Sequence, residues 1–279
     1  YSNIHDIHCQ IQGPITSDVH QNFVMRWNNA SEQNKEHGSW PKNKTKDLPI
    51  ADKIASNAGN IKAQITRSIL PGLYSEMSDG ENSVRQQYLE AIAAAESYVY
   101  FENQIFLSRA CLEVIHGVLE KGIPVLALVP ADPMPELSAA RSHPGIAAGY
   151  EALEKCGEYP NFCLAAPAAL RPWGYEEIYV HSKAAIIDDT WATIGSTNLV
   201  FSSFQGDTEM NVSFWDNLTA RTFRTQLFDE HGGFSSGQYD GREALEELIK
   251  IAHENRSKRE ENQPLQGFIY AIDPKNWAK

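Results

Sequence analysis

The sequence predicts an α/β domain: a mixed central sheet with helices layered on both faces. Three observations carry that expectation. Segments of strand and helix character alternate through residues 84–188. Two of the strand segments, VLALV at 125–129 and FCLAA at 162–166, are unbroken apolar runs of the kind buried on both faces of a sheet. A chain of 279 residues with 42% hydrophobic content also has enough apolar surface to bury a large core. The expected division is a strand-helix unit and long loop over 1–60, then the main layered domain over 61–279, ending in a helical tail.

Residues 4–13 alternate, with Ile7, Cys9 and Ile11 on one face, and read as a strand ending at Gly13-Pro14. Ile15, Val19, Phe23 and Trp27 then recur at helical spacing, with Pro14 near the start where proline is tolerated. Residues 29–60 are polar and rich in Asn and Lys, the composition of a long surface loop. Residues 61–69 alternate as a strand, and PGLYSEMSDGEN after them is rich in turn formers. Ser83 and Gln86 have capping-box spacing before a helix over 84–97 that carries Val84, Tyr88, Ile92 and Ala95. A strand over 98–102 follows, then a helix over 109–121 closed by Gly122 and a helix over 145–156 bounded by Pro144 and Gly157. The aromatics of the 171–175 loop either line an entrance or cap the core. Residues 178–188 alternate as one strand, 210–215 as another. Helices are expected over 217–230, with Leu218, Phe223, Leu227 and Phe228, and over 243–256, before a tail containing Pro274 and Trp277.

Composition narrows the partners. The net charge of −12 leaves no overall basic face for a phosphate backbone, so nucleic acid is not an expected partner. Lys42, Lys44 and Lys46 beside Trp40 read as solvated loop charges. Acidity disfavours tight binding to anionic membranes but leaves neutral or zwitterionic lipid headgroups open. Four cysteines are too few for a disulfide framework, and Cys9 and Cys163 read as free buried thiols. No C-x-x-C or H-x-x-x-H spacing suggests zinc; no metal or cofactor is expected, and His5 and His8 read as structural. No apolar run has membrane-spanning length, and the first residues lack a signal-peptide pattern; localisation stays open between soluble, peripheral and secreted.

The chemistry concentrates in residues 181–209. His181, Lys183 and Asp188 form H-x-K-x4-D, followed by Gly195-Ser196-x-Asn198 and then Glu209. On a strand His181 and Lys183 point the same way. An imidazole, an ammonium, a hydroxyl and a carboxamide gathered this closely suit a phosphate ester. Upstream, Asn103 and Gln104 stand at a strand end, able to line a substrate or to hold loops.

This stretch resembles the HKD motif of the phospholipase D superfamily, with the trailing G-S-x-N and later acid in register. IHDIHCQIQGPITSDVHQNFVMRWN resembles the strand, Gly-Pro turn and helix that follow the family's first motif, and YVYFENQIF its strand running into E-N-Q. The resemblance covers residues 4–28 and 84–216. It implies a phospholipase D-like α/β/α layered domain with a central mixed sheet flanked by helices. It makes His181 the second-motif histidine, a general acid/base facing a nucleophile from the other half. Lys183 and Asn198 become phosphate-oxygen donors, Ser196 a neighbouring contact, and Glu209 the acid that orients a histidine. Asp188 carries a motif letter, though such residues more often serve a structural ion pair. Asn103, Gln104 and Trp173 are candidates to line the substrate site.

One HKD motif is present where the family's centre uses two. The resemblance therefore implies a C-terminal half, completed by the N-terminal HKD half of the same enzyme or by a second copy in a homodimer. The expected activity is phospholipase D-type hydrolysis of glycerophospholipid headgroups, or transfer to alcohols, through a phosphohistidine, with transient membrane-surface contact. Alternatives are a cardiolipin synthase-like phosphatidyltransferase, an HKD nuclease and, last, a non-enzymatic half-domain. GDTEMNVSFW faintly suggests bacterial lipase effectors.

Overall fold

Residues 3–32 and 47–279 are described by a computed structural model; Trp40, Lys42, Lys44 and Lys46 lie outside them. Strand β1 (Asn3–His5) and helix α1 (Thr16–Glu32) come first, then β2 (Lys62–Ile69), β3 (Glu81–Asn82), α2 (Ser83–Ala93) and β4 (Val99–Asn103). Next are α3 (Arg109–Glu120), β5 (Val125–Leu128), α4 (Pro135–Ala139), α5 (Pro144–Cys156) and β6 (Phe162–Arg171). The site-bearing stretch holds β7 (Gly174–Val180), β8 (Lys183–Ile187), β9 (Trp191–Gly195), α6 (Phe201–Gln205) and β10 (Glu209–Trp215). Helices α7 (Asn217–Gly232) and α8 (Gly241–Glu260) and strand β11 (Ile269–Ile272) close the chain.

The strands form one mixed sheet in the order β1-β7-β6-β5-β4-β8-β9-β10-β2-β3, with β11 added against β6. β4, β5 and β6 are parallel, and β8, β9 and β10 run antiparallel beside them. Period-two alternation distributes the strand side chains between two cores. From β4, Val99 and Phe101 pack toward α2, α3 and α5, while Tyr100, together with Tyr98 just before the strand, packs toward α7 and α8. β8 does the same with Ile187 on one side and Ile186 on the other. Residues such as Ile115, Leu126 and Phe228 are wholly buried. Each such side chain contributes about 1.5–3 kcal/mol relative to exposure, so a two-faced sheet locks both helical layers. The fold is the expected α/β/α architecture.

Several elements differ from the sequence reading. The strand expected over 4–13 ends at His5, because only residues 3–5 find a partner, pairing in parallel with β7. Cys9 is consequently exposed rather than buried. Helix α1 forms, but it turns Val24, Met25, Asn22 and Asn29 inward, leaving Phe23 54% exposed. Ser83 is no capping box: its hydroxyl accepts from Arg67 N–H and donates to Glu81, and helix α2 has no side-chain cap. A real capping box starts α8, where Asp240 and Glu243 cap each other's backbone N–H. The tail is structural, since β11 pairs with β6 and the buried Trp277 indole donates to Pro130 O at 2.8 Å.

Candidate active site

The single strand expected over 178–188 is broken at His181-Ser182. β7 pairs with β6 and β1, whereas β8 is inserted between β4 and β9. Between them the chain passes the carboxyl ends of the parallel strands, where open α/β sheets place ligands. The end of β4, the start of β8, the end of β9 and the start of β10 all meet there. Four backbone edges thus bring His181, Lys183, Ser196, Asn198 and Glu209 to one end of the sheet.

His181 has a half-exposed imidazole whose Nδ1 donates to Asp6 Oδ2 at 2.9 Å. Its backbone N–H donates to His5 O at 2.8 Å, so β1 fixes both the ring and its chain. Burial works against the Asp6 charge, but the His181 hydrogen bond and the Ile7 N–H outweigh it and hold the carboxyl below the usual range. With Nδ1 committed to a carboxylate, Nε2 is the nitrogen left to exchange protons with a ligand.

Lys183 is buried. Its ammonium donates to Gln104 Oε1 at 2.9 Å and to the His181 carbonyl. Burial lowers its pKa, against the raising fields of Asp6 and Glu209. The cation therefore feels the charge of both acids while its direct contacts are to Gln104 and the His181 carbonyl. Glu209 accepts from the Ser196 hydroxyl, and burial raises its carboxyl despite hydrogen bonds from Ser196 and Ser203. Asn198 Oδ1 is buried without a partner. Gly195 is required by close approach: a Cβ there would lie 2.1 Å from Asn211 Oδ1.

The E-N-Q segment holds this arrangement. Asn103 Oδ1 accepts from Ile105 N and Leu199 N, and its amide donates to Thr197 O, which pins the loop carrying Ser196 and Asn198. Gln104 fixes Lys183 and also donates to Tyr179 Oη at 2.9 Å. Both amides are engaged by protein, so loop-holding accounts for them without a ligand. Trp173 sits at the β6–β7 hairpin tip, 78% exposed. The seven residues of β7, on the order of 25 Å, separate it from His181. Asp188 lies at the opposite end of β8, with φ 56°, and accepts from the backbone N–H groups of Glu96, Ser97 and Tyr98 at 2.7–2.9 Å. That is an anchoring role through backbone donors rather than an ion pair, and it sets Asp188 apart from the residues that meet at His181.

Sequence reasoning missed two residues. Asp6 supplies the carboxylate on His181; its signal was an acid opening a run that leads into a helix, as Glu209 does before α7. Glu102, wholly buried, accepts from four side chains: His5 at 2.7 Å, Ser182 at 2.6 Å, Tyr100 at 2.8 Å and His231 at 2.9 Å. Burial would raise its carboxyl, but the bonds from His231 and His5 bring it far below the ordinary range. His5, Glu102 and His231 have ligand atoms within 4.8 Å of one another, a spacing compatible with a metal ion. With two donors already on each Glu102 oxygen, hydrogen bonds account for the cluster as it stands.

Residues 88–231, more than half of the chain, match the family described as "Cardiolipin synthase, PLD-like domain". The chain belongs to the phospholipase D superfamily. Residues 2–113 also match the family described as "Phospholipase D". Among curated superfamily relatives, Cardiolipin synthase 1 of Staphylococcus epidermidis is 24% identical over 226 residues, covering 81% of this chain and 40% of that protein. The chain thus spans about two fifths of the length of the curated relatives it matches. Among solved structures, Nuc of Salmonella typhimurium has a TM-score of 0.43 at 17% identity, covering 61% of this chain and 93% of that one. Phosphatidylserine synthase of Haemophilus influenzae has a TM-score of 0.43 at 14% identity, covering 90% and 55% respectively.

Proposed function

We propose that this chain supplies one half of a phosphatidyl-transfer centre of the cardiolipin synthase kind. The observation that carries the reading is the Asp6–His181 pair set beside the buried Lys183 ammonium. Asp6 and Glu209 each open a short run that leads into a helix, α1 and α7. Asp6 serves His181, while the partners of Glu209 are Ser196 and Ser203 rather than a histidine. By the same arrangement Glu209 serves the histidine of the other HKD motif, contributed by the remainder of the enzyme or by a second copy.

In the reaction the histidine of the other half attacks phosphorus, and the ester bond to the leaving alcohol breaks. His181 Nε2–H gives that alcohol its proton. His181 then takes the proton of an acceptor hydroxyl, which attacks phosphorus as the phosphorus–nitrogen bond breaks. Lys183 and Asn198 hold the phosphoryl oxygens. An alcohol acceptor gives transfer and water gives hydrolysis.

The names of the relatives favour transfer over the headgroup hydrolysis expected first. Nothing beyond the sequence resemblance speaks for lipid degradation or an effector role. A cavity of about 1070 Å³ reaches the pair at Asp6; Ile7, Ile11, Phe214 and Leu227 give it an apolar wall suited to an acyl chain, while His8, Gln10, Lys62 and Glu230 make the rest of its lining polar. The net charge of −12 speaks against a nucleic-acid substrate; it also disfavours an anionic lipid surface, so phosphatidylglycerol has to be recognised at the Lys183 site rather than by overall charge. The test is product identity: the full-length enzyme on phosphatidylglycerol vesicles should yield cardiolipin and glycerol. Phosphatidic acid as sole product would return the reading to hydrolysis, and DNA cleavage without lipid turnover would sink both.

A further inference from the structure

We propose that Glu102 is a positioning residue for the transfer step, acting through Ser182 and His5 to hold the Asp6–His181 pair in register. This rests on the reading of His181 as the proton carrier. The geometry is a closed ring. Glu102 Oε2 accepts from Ser182 Oγ at 2.6 Å and from His5 Nε2 at 2.7 Å. Ser182 follows His181 in the chain and His5 precedes Asp6. The ring closes where His181 Nδ1 meets Asp6 Oδ2 at 2.9 Å and His181 N–H meets His5 O at 2.8 Å.

The other oxygen of Glu102 is anchored away from the site. Tyr100 Oη from the same strand and His231 Nε2 from α7 donate to Oε1 at 2.8 and 2.9 Å. Glu102 thus ties β4 and α7 to the two segments that deliver the reacting histidine and its carboxylate. The need follows from the break between β7 and β8. At His181-Ser182 the chain has left one pair of strand neighbours and not yet joined the next. Apart from His181 N–H, sheet hydrogen bonds do not hold it there, and a half-exposed imidazole would sample several rotamers. Ser182 and Glu102 are both wholly buried, so their bond is shielded from water.

Lys183 is anchored by Gln104 as well as by the His181 carbonyl, so the ring predicts a larger effect on the reaction than on phosphate binding. In the full-length enzyme, Ser182→Ala should lower kcat by roughly 10- to 100-fold, the scale of lost outer-shell support, with KM within about twofold. Ser182→Thr, which keeps the hydroxyl, should restore most of it. A readout independent of turnover is the tautomer of the neutral His181 ring, from ¹⁵N shifts of labelled protein. The wild type should hold the Nδ1–H form that Asp6 selects; Ser182→Ala and Glu102→Gln should admit the Nε2–H form that imidazole prefers in water. A thermal midpoint for each variant separates misfolding from misplacement. If the wild type transfers no phosphatidyl group yet the tautomer shifts in Ser182→Ala, the transfer reading fails and the positioning role stands. An unchanged tautomer with unchanged kcat in folded Ser182→Ala, or a stoichiometric metal found on His5, Glu102 and His231, would overturn the proposal.

Discussion

Asp6 Oδ2 accepts from His181 Nδ1 across 2.9 Å, although 175 positions separate the two residues. In the proposed transfer the pair fixes which imidazole nitrogen faces the ligand and stabilises the charged ring as it forms. Asp6→Asn keeps the shape but removes the charge and lets the ring adopt the wrong tautomer. The expected result is a fall in kcat of roughly 10²–10⁴-fold, the span of general acid–base catalysis, with little change in KM. Steady-state kinetics of the full-length variant on phosphatidylglycerol check it.

Lys183 is pulled below the ordinary lysine range by burial, with Asp6 and Glu209 opposing. Its ammonium is therefore discharged at a lower pH than a free lysine, whose value is about 10.4. Binding of inorganic phosphate should weaken on the alkaline side before that point. Lys183→Arg keeps its charge at any such pH and should remove the alkaline limb, though a planar guanidinium fits the Gln104 contact less well. Calorimetric titration across the alkaline range reads both effects.

Asp188 caps three backbone N–H groups at the far end of β8 from Lys183. Asp188→Ala removes the acceptor and leaves those donors short of partners, a cost of about 1–3 kcal/mol. The variant should melt earlier yet turn over at the wild-type rate per folded molecule. Denaturant melts paired with active-site-normalised kinetics decide whether the third letter of the motif is chemistry or scaffolding.

Much of this was legible in the sequence, for a physical reason. The buried runs at 125–129 and 162–166 and the motif residues from 181 to 209 are local patterns, and local patterns survive without coordinates. The break at His181-Ser182 was hidden because alternation continues across it: Val180 and Ile186 face one core as a continuous strand would require. Asp6 and Glu102 were hidden because their partners are remote, Ser182 lying 80 positions from Glu102. On α1 the spacing of Phe23 and Trp27 revealed a stripe but not what covers it, and the buried face proved to be the one holding Val24 and Met25. β11, four residues long, gave too little periodicity to read.

Glu102 and His5 set opposite pH limits on stability. The folded Glu102 carboxyl lies below its unfolded value of about 4.3, so its contribution is full above that pH and is lost as pH falls beneath it. For His5, burial lowers the pKa but the Glu102 bond and charge prevail and raise it, so its contribution is full below about 6.5 and fades as pH rises through the folded value. Chemical denaturation at a series of pH values should show stability falling at both ends. Glu102→Gln should flatten the acid side.

The most direct measurement of the central claim follows a labelled phosphatidyl group in the full-length enzyme, with EDTA present, in the wild type and in His181→Ala. The account predicts labelled cardiolipin from the wild type at an undiminished rate and none from His181→Ala. Cardiolipin formed by the His181→Ala enzyme would contradict it, as would wild-type transfer abolished by the chelator.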